Sequence, residues 1–251
     1  MSGELSGDDS ISDRFDALCW LPTSIFIIAV ISSAIFALLP HLDVTISELF
    51  YRSGQGFVGK QVAAIGFLRM VFKGFYVSCC LLAISGLIIT RGRVRAWLGL
   101  VFRNWLYLAI CLALGPGVVA NLALKDHWGR ARPNQIIEFG GTKSFTVALT
   151  PTDQCDRNCS FVSGEASSTF AVFFAGAFLF RRRAAALLMT GVAAGAVTGL
   201  VRMAQGAHFL SDVIFAGLLM ALTVAAVNFV FEVVAEGSRS PGATALTEAE
   251  A

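Results

Sequence analysis

The chain has 251 residues, of which 56% are hydrophobic and only 14% are charged, and its mean hydropathy is +0.71. This composition excludes an ordinary soluble domain and indicates an integral membrane protein. The net charge of +2 is too small to indicate a nucleic-acid partner. The length fits one compact domain, and no obligate protein partner is inferred.

Six apolar runs are candidates for membrane-spanning helices, since a bilayer core needs about 20 residues per helix. The runs cover approximately residues 20–39, 62–90, 104–124, 164–180, 184–201 and 209–234. They predict an all-α, polytopic membrane protein with six transmembrane helices in one bundle. We expect an N-terminal tail over 1–19, a membrane domain over 20–234 and a disordered tail over 235–251. The acidic start lacks the basic region of a signal peptide, so no cleavage is expected.

Arginines concentrate in the links at one side of this bundle and set its expected orientation. They are Arg91, Arg93, Arg95, Arg103 and Arg181–Arg183. Short basic links are retained in the cytoplasm. Both chain ends are then cytoplasmic, and the polar segments 41–60, 125–161 and 202–208 face the periplasm or the exterior.

Two glycine patterns predict how the spans pack. Gly191, Gly195 and Gly199 recur every four residues in the fifth run. A stripe of small residues lets a neighbouring helix approach closely. Gly115-Pro116-Gly117 interrupts the third run and predicts a kink there.

Cys155 and Cys159 lie in a polar loop, whereas the other four cysteines lie in or beside apolar runs. A pair with this spacing can form half of a zinc site, but no second pair lies nearby. If the loop is extracytoplasmic, a disulfide is the better interpretation.

Two polar clusters at the expected exterior face are suited to an anion. Lys125 and Arg132 are two helical turns apart, so both point the same way if the third helix continues, and Pro133 marks the exit. An arginine fork and a lysine ammonium together suit a phosphate dianion. Ser163 and Gly164 open the fourth helix, where free N–H groups and the helix dipole attract anions. Gly164 has no side chain to block close approach.

A third cluster at the same face adds a nucleophile. His208 and Asp212 are four residues apart at the start of the sixth helix and therefore share one face. A carboxylate bonded to one imidazole nitrogen fixes the tautomer and leaves the other nitrogen free to attack. Arg202 supplies a further cation for a phosphoryl group.

These spacings resemble the type 2 phosphatidic acid phosphatase superfamily, whose pattern is K-x6-RP, then PSGH, then SR-x5-H-x3-D. The matching positions are Lys125, Arg132, Pro133, Arg202, His208 and Asp212. Val201 stands where the family has a serine. The resemblance implies a membrane lipid phosphatase without metal or cofactor, in which His208 forms a phosphohistidine and Asp212 orients it. The implied phosphate-binding residues are Lys125, Arg132, Ser163, Gly164 and Arg202.

The middle motif departs from the family because Glu165 stands where PSGH has its acid histidine. Glu165 serves as the leaving-group acid if burial keeps it protonated, and His127 is the other candidate acid. Alternatively, Glu165 is a salt-bridge partner of the site's cations. The run from Ser160 to Ser167, after the Cys155/Cys159 loop, looks like the lipid A 4'-phosphatase branch of the superfamily. This branch implies an active site at the periplasmic face of the bacterial inner membrane.

Four further cations have open roles. Arg69 and Lys73, four apart at the outer end of the second helix, either contact a second phosphate or sugar-acid carboxylate or snorkel to the interface. Arg130 and Lys143 are expected to face solvent or lipid headgroups, with substrate contact as the alternative.

The leading interpretation is hydrolysis of a phosphomonoester on a phospholipid or on lipid A within the membrane. The same residues fit a lipid A 1-phosphatase, an undecaprenyl pyrophosphate phosphatase or a lipid phosphotransferase. A transporter is disfavoured because the charges cluster at one membrane face and the midplane lacks discontinuous helices.

Overall fold

A computed structural model describes residues 9–92 and 96–237, with side chains from residue 23 onward. Its helices are α1 (Asp9–Leu38), α2 (Leu42–Glu48), α3 (Ala63–Thr90), α4 (Phe102–Leu112), α5 (Gly164–Leu179), α6 (Ala184–Ala204) and α7 (Leu210–Gly237). Short 3₁₀ turns cover Val58–Lys60, Pro133–Gln135, Ile137–Phe139 and Arg181–Arg183. Two strands, β1 (Tyr51–Arg52) and β2 (Gly56–Phe57), pair antiparallel and add a small hairpin to the helical fold.

The expected membrane-spanning architecture is confirmed, but the number of six spans is not. Among the described residues, four helices are long and apolar enough to cross a membrane: Ala63–Thr90, Phe102–Lys125, Arg181–Ala204 and Leu210–Glu236. A fifth span results if α1 and α2, which meet at 80°, form one broken span. The remaining apolar run, α5, has 16 residues and is about 24 Å long. It is therefore shorter than a hydrocarbon core of about 30 Å.

Helix α5 lies at the centre of the bundle. It contacts α3, α4, α6 and α7. Its buried residues lie along its whole length: Gly164, Ala166, Ser167, Thr169, Phe170, Ala171, Phe174, Ala175 and Ala177. A helix enclosed in this way does not need the length of a lipid-facing span, and its first residue can lie deep between its neighbours.

The predicted glycine stripe is confirmed as a packing surface. A Cβ at Gly191 would lie 2.7 Å from the Cβ of Phe173, and one at Gly195 would lie 2.3 Å from the ring of Phe170. Gly199 makes the same close approach to α7. These glycines bring α6 against α5 and α7, and the end of α6 and the start of α7 carry one of the three polar motifs.

The interruption Gly115-Pro116-Gly117 coincides with a change in helical hydrogen bonding. After α4 the chain continues to Lys125 as a π-helix, Ala113–Lys125. Pro116 has no N–H to donate, and the side chain of Asn121 donates instead to the Pro116 carbonyl at 2.7 Å. Lys125 therefore lies at the end of a span whose backbone hydrogen bonds change from the α-helical to the π-helical pattern.

The expected tails are only partly covered. Helix α1 begins at Asp9, inside the segment predicted as a tail, and α7 extends to Gly237. Residues 1–8 and 238–251, together with Arg93 and Arg95, lie outside the described part of the chain.

Candidate functional site

Backbone hydrogen bonds join the three polar motifs. The N–H of Ser160 donates to the carbonyl of Arg130 at 2.8 Å, which links the loop before α5 to the loop after the π-helix. The N–H of Ser163 donates to the carbonyl of Asp212 at 3.1 Å, which links the start of α5 to the first turn of α7. The segments that the sequence placed at one face therefore form a single site.

His208 is buried, with 1% of its surface exposed. Its Nδ1 lies 2.8 Å from the carbonyl oxygen of Ser160. An Nδ1–H that donates to this carbonyl leaves Nε2 as the nitrogen with a free lone pair. The nearest carboxylate oxygen of Asp212 is 3.6 Å from Nδ1. The expected direct hydrogen bond from His208 to Asp212 is therefore wrong, and the Ser160 carbonyl fixes the tautomer instead.

Burial lowers the pKa of His208 to about 4, because the imidazolium would lose its solvation. Asp212 opposes this shift, while the positive charges of Lys125 and Arg202 add to it. His208 is thus neutral at physiological pH, which is the state in which imidazole is a nucleophile.

Asp212 is held by donors other than the histidine. It accepts hydrogen bonds from Nη1 of Arg130 at 2.6 Å, from the N–H of Phe209 at 2.8 Å and from the hydroxyl of Ser160. Ser160 thus contacts both partners of the expected pair, His208 through its carbonyl and Asp212 through its hydroxyl.

Arg130 does not face solvent, and that prediction is wrong. Its side chain is completely buried. Its guanidinium lies between two carboxylates, 2.6 Å from Asp212 and 2.8 Å from Asp43. Because its guanidinium is buried and binds Asp43 and Asp212, Arg130 does not contact a substrate directly in this structure. Lys143, in contrast, is exposed as expected.

Asp43 was missed by the sequence analysis. It lies in α2, is buried, and accepts hydrogen bonds from the N–H and hydroxyl of Ser211 and from Arg130. A carboxylate close to the end of a predicted membrane span is an indication of function. Its partner, however, lies 87 residues away in sequence, and no spacing rule connects them.

Lys125 and the start of α5 form one wall of the candidate phosphate site. Lys125 is buried, and a Cβ added at position 164 would lie 2.9 Å from its Nζ. Gly164 therefore provides the space that the lysine amine occupies. The hydroxyl of Ser163 is buried without a hydrogen-bond partner among the residues that the structure describes. An ammonium and an unpaired hydroxyl at a helix N-terminus fit an anionic ligand.

Arg132 reaches the site by a turn and not by a helix. The helix stops at Lys125, and Gly129 turns the chain at φ +70°. The expected helical continuation to Arg132 is therefore wrong. Nη2 of Arg132 donates to the carbonyl and side-chain oxygens of Asn158 at 2.7 and 2.9 Å. Burial lowers the pKa of Arg132 by removing solvent from the guanidinium, so an arriving anion would replace lost solvation.

Arg202 lies in the last turn of α6 and is also buried. Its Nη1 donates to Oε1 of Gln205 at 2.5 Å, and its Nε lies 3.7 Å from the carboxylate of Glu165. The Nε atom makes no hydrogen bond within the described part of the chain. Arg202 acts electrostatically on both Lys125 and Arg132. Arg202 thus lies within electrostatic range of both Lys125 and Arg132.

Glu165 forms an ion pair with Arg69. Nε and Nη2 of Arg69 lie 3.0 and 2.8 Å from Oε1 of Glu165. A guanidinium at this distance favours the ionised carboxylate, which has no proton to donate. The geometry therefore favours the salt-bridge interpretation, and leaving-group acid catalysis by Glu165 stays a prediction. His127, the other candidate acid, is exposed in the turn after Lys125.

A cavity of about 420 Å³ opens beside this ion pair. It is lined by Ala63, Gly66, Phe67, Arg69, Met70, Lys73 and Gln205. Lys73 is exposed. Gln205, which lines the cavity, also accepts a hydrogen bond from Arg202, so the cavity lies next to the candidate phosphate site.

The disulfide loop forms the outer wall of the site. Cys155 and Cys159 are joined by a disulfide. Asn158, which binds Arg132, lies inside the closed loop, and the N–H of Cys159 donates to the carbonyl of Lys125 at 2.9 Å. The loop therefore touches both cationic residues of the first motif.

Comparison with known proteins gives consistent matches. The family model described as the PAP2 superfamily matches residues 104–234. The chain is 36% identical over 191 residues to a lipid A 4'-phosphatase of Francisella tularensis subsp. novicida (strain U112), covering 74% of this chain and 84% of the relative. It is 32% identical over 204 residues to a lipid A 4'-phosphatase of Rhizobium leguminosarum, covering 76% and 87%.

A solved structure shares the fold. It is that of a transmembrane PAP2 type phosphatidylglycerolphosphate phosphatase from Bacillus subtilis. The TM-score is 0.55 at 17% identity, and the match covers 85% of this chain and 96% of the other. At this identity the match supports the arrangement of helices alone.

Proposed function

This chain belongs to the PAP2 superfamily, and we propose that it is a membrane phosphatase that removes the 4'-phosphate of lipid A. It is a phosphoric monoester hydrolase by family, and two relatives that align over most of its length are lipid A 4'-phosphatases. The observation that carries the mechanism is the state of His208. It is buried and neutral, its Nδ1 is committed to Ser160, and the cations Lys125 and Arg202 act on it.

The reaction has two steps. Nε2 of His208 attacks phosphorus, so the Nε2–P bond forms as the ester P–O bond breaks, and the departing sugar oxygen takes up a proton from the general acid, for which Glu165 and His127 are the two candidates. Water then attacks the phosphohistidine, the Nε2–P bond breaks, and inorganic phosphate leaves. Lys125, Arg132, Ser163, the N–H of Gly164 and Arg202 hold the phosphoryl oxygens in both steps. Their positive charge stabilises the transition state because it is already in place before the reaction.

The imidazole becomes positively charged when Nε2 is phosphorylated while Nδ1 keeps its proton. The carbonyl of Ser160 stabilises this cation by accepting the Nδ1–H. Asp212, 3.6 Å from Nδ1, stabilises it through its negative charge and not through a direct hydrogen bond. This is the role we assign to Asp212 in the catalytic group.

Phosphate release by His208→Ala tests the mechanism. The purified variant should release no phosphate from lipid A in detergent micelles, because the phosphohistidine cannot form. His41→Ala is the matched control, since His41 is an exposed histidine and should leave the rate unchanged. Wild-type phosphate release by His208→Ala would refute a histidine nucleophile.

The substrate position and the phosphoryl acceptor require a separate readout. Tandem mass spectrometry of the product should find the remaining phosphate at position 1 of lipid A. Loss from position 1 instead would identify a lipid A 1-phosphatase. With radiolabelled substrate, the label should appear as free phosphate, and label on a second lipid would identify a phosphotransferase.

We place the site at the periplasmic face of the bacterial inner membrane, with both chain ends cytoplasmic. The described basic links, Arg91, Arg103 and Arg181–Arg183, lie at the helix ends opposite to the polar motifs, which supports this orientation. A membrane-impermeant maleimide should label Lys143→Cys in intact spheroplasts. It should label Arg182→Cys only after lysis, and the reverse pattern would refute the orientation.

Lys73 is a candidate contact for a second anionic group of the same lipid. It lies on the cavity beside the phosphate site and is exposed. Lys73→Gln should raise KM several-fold and leave kcat unchanged, since it removes binding that is equal in ground and transition states. An unchanged KM would refute this contact and favour the alternative, in which Lys73 extends its amine to the membrane interface.

A further inference from the structure

A cluster of three buried charges lies behind His208 and has no direct place in phosphate binding. It consists of Asp43 on α2, Arg130 in the loop after the π-helix, and Asp212 on α7. All three side chains are at most 2% exposed. Burying three charges is unfavourable unless each is paired and hydrogen-bonded, so their arrangement needs a reason beyond packing.

Arg130 is connected to His208 by two routes. Through its side chain it binds Asp212 at 2.6 Å, and its guanidinium carbon lies 4.3 Å from the ring centre of Phe209, the residue after the histidine. Through its backbone it accepts a hydrogen bond from Ser160 at 2.8 Å, and the Ser160 carbonyl in turn holds Nδ1 of His208. Movement of Arg130 would therefore displace both groups that orient the imidazole.

Asp43 holds Arg130 from the other side. Its Oδ2 binds Nη2 of Arg130 at 2.8 Å, and its Oδ1 accepts the N–H of Ser211 at 2.9 Å. Nη1 of Arg130 also donates to the hydroxyl of Ser211 at 2.8 Å. Asp43 thus ties the arginine to the first turn of α7, which carries Asp212.

The charges of the cluster matter as well as its geometry. Arg130 alone would cancel the charge of Asp212 and leave the cluster with no net negative charge to stabilise an imidazolium. With Asp43 ionised as well as Asp212, two carboxylates share one guanidinium, and the cluster keeps one negative charge. In a buried site with little solvent screening, that charge acts strongly on a cation at the position of His208.

We propose that Asp43 and Arg130 are positioning residues for the histidine nucleophile, which hold Asp212 and Ser160 in place and keep a net negative charge behind the imidazole as it is phosphorylated. The proposal rests on the proposed function, because it assigns these residues to the formation of a phosphohistidine. It extends the site to α2, which none of the three sequence motifs contains.

The test compares Asp43→Asn with Glu48→Gln, which removes the same charge from an exposed residue of the same helix. Asp43→Asn should lower kcat about 10- to 100-fold, the range typical of groups that support a site residue, with KM within about twofold. Glu48→Gln should match the wild type. Rapid-quench measurement of the phosphoenzyme should assign the loss to phosphohistidine formation.

A charge-balanced double variant separates this role from a purely structural one. Asp43→Asn removes the net negative charge of the cluster, whereas Asp43→Asn combined with Arg130→Gln restores it through Asp212. The double variant should therefore regain part of the kcat lost in Asp43→Asn. A structural role alone makes the double variant worse than either single variant, and that result would overturn the proposal.

Folding is monitored by size-exclusion chromatography and thermal midpoint. If Asp43→Asn does not fold, the double variant is compared with wild type directly. A kcat between those of wild type and His208→Ala, with KM within about twofold of wild type, supports the proposal, and a kcat equal to either of those two overturns it. A wild-type enzyme that releases no phosphate would instead refute the proposed function, while an active wild type with an equally active Asp43→Asn would refute only the role of the cluster.

Discussion

Acidification should leave His208 uncharged over a range where an ordinary histidine is protonated. Its pKa is lowered from 6.5 to about 4, chiefly by burial. At about pH 5.5 a histidine with the ordinary pKa is about 90% protonated, whereas His208 should be about 3% protonated. The difference between the two pKa values corresponds to about 3 kcal/mol in favour of the neutral imidazole.

The chain is well suited to a direct measurement because it has only three histidines. With ¹³Cε1-labelled histidine in detergent micelles, the His41→Gln and His127→Gln variants assign the NMR signals. The His208 signal should keep the chemical shift of a neutral ring down to about pH 5. The same signal in the chain unfolded by denaturant is the control and should titrate near 6.5. A His208 midpoint above about 6 in the folded protein would refute this account of the nucleophile.

The shift also has a consequence for stability. As pH falls through about 6.5, His208 binds a proton in the unfolded chain but stays neutral in the native state. Unfolding therefore becomes more favourable. The effect grows until the native state is itself protonated near pH 4. Wild type should therefore lose up to about 3 kcal/mol of stability relative to His208→Gln across this range.

Three further substitutions have defined outcomes. Glu165→Gln should lower kcat less than about tenfold, because Glu165 pairs with Arg69, whereas loss of a general acid reduces the rate by about 10²- to 10⁴-fold. Gly164→Ala should lower kcat/KM at least about tenfold, because its Cβ would lie 2.9 Å from the amine of Lys125 and displace it. Gly195→Ala should destabilise the fold by about 1–3 kcal/mol, because its Cβ would overlap an aromatic ring on α5.

The two glycine variants each have a control in the same chain. Gly176→Ala, on the same helix as Gly164, meets only Leu187 at 3.8 Å and should leave activity and thermal midpoint unchanged. Gly66→Ala, which meets nothing within 4 Å, is the control for Gly195→Ala in thermal unfolding. A loss of kcat beyond about 100-fold in folded Glu165→Gln would restore Glu165 as the acid.

The sequence predicted which residues the structure brings together at the candidate site because chemistry and topology constrain them together, while their catalytic roles stay predictions. His208 and Arg202 had to lie near Lys125, since helices that alternate across a membrane return to the same face at every second end. The glycine stripe was also predictable, because small residues repeated at helical spacing let a second helix pack closely against the first.

The features that sequence reasoning missed depend on contacts between distant residues. The helix ends at Lys125, and the chain then turns at Gly129, where a Cβ would lie 1.5 Å from the carbonyl oxygen of Thr152. Arg130 looked like one more surface cation of an exposed loop. Its burial depends on Asp43, which lies outside every recognised motif. The short length of α5 depends on the helices that enclose it, which hydrophobicity along one segment does not record.

The position of Asp43 bears on how this enzyme can be divided or compared. The family model begins at residue 104, so the block that sequence similarity delimits ends well short of the helix that carries Asp43. A fragment cut at that boundary would keep every recognised motif and yet leave Arg130 with one carboxylate where it has two. On the proposed role of Asp43, the catalytic unit is larger than the segment that the family model matches, and exchanging the first two helices between relatives would exchange part of the active site.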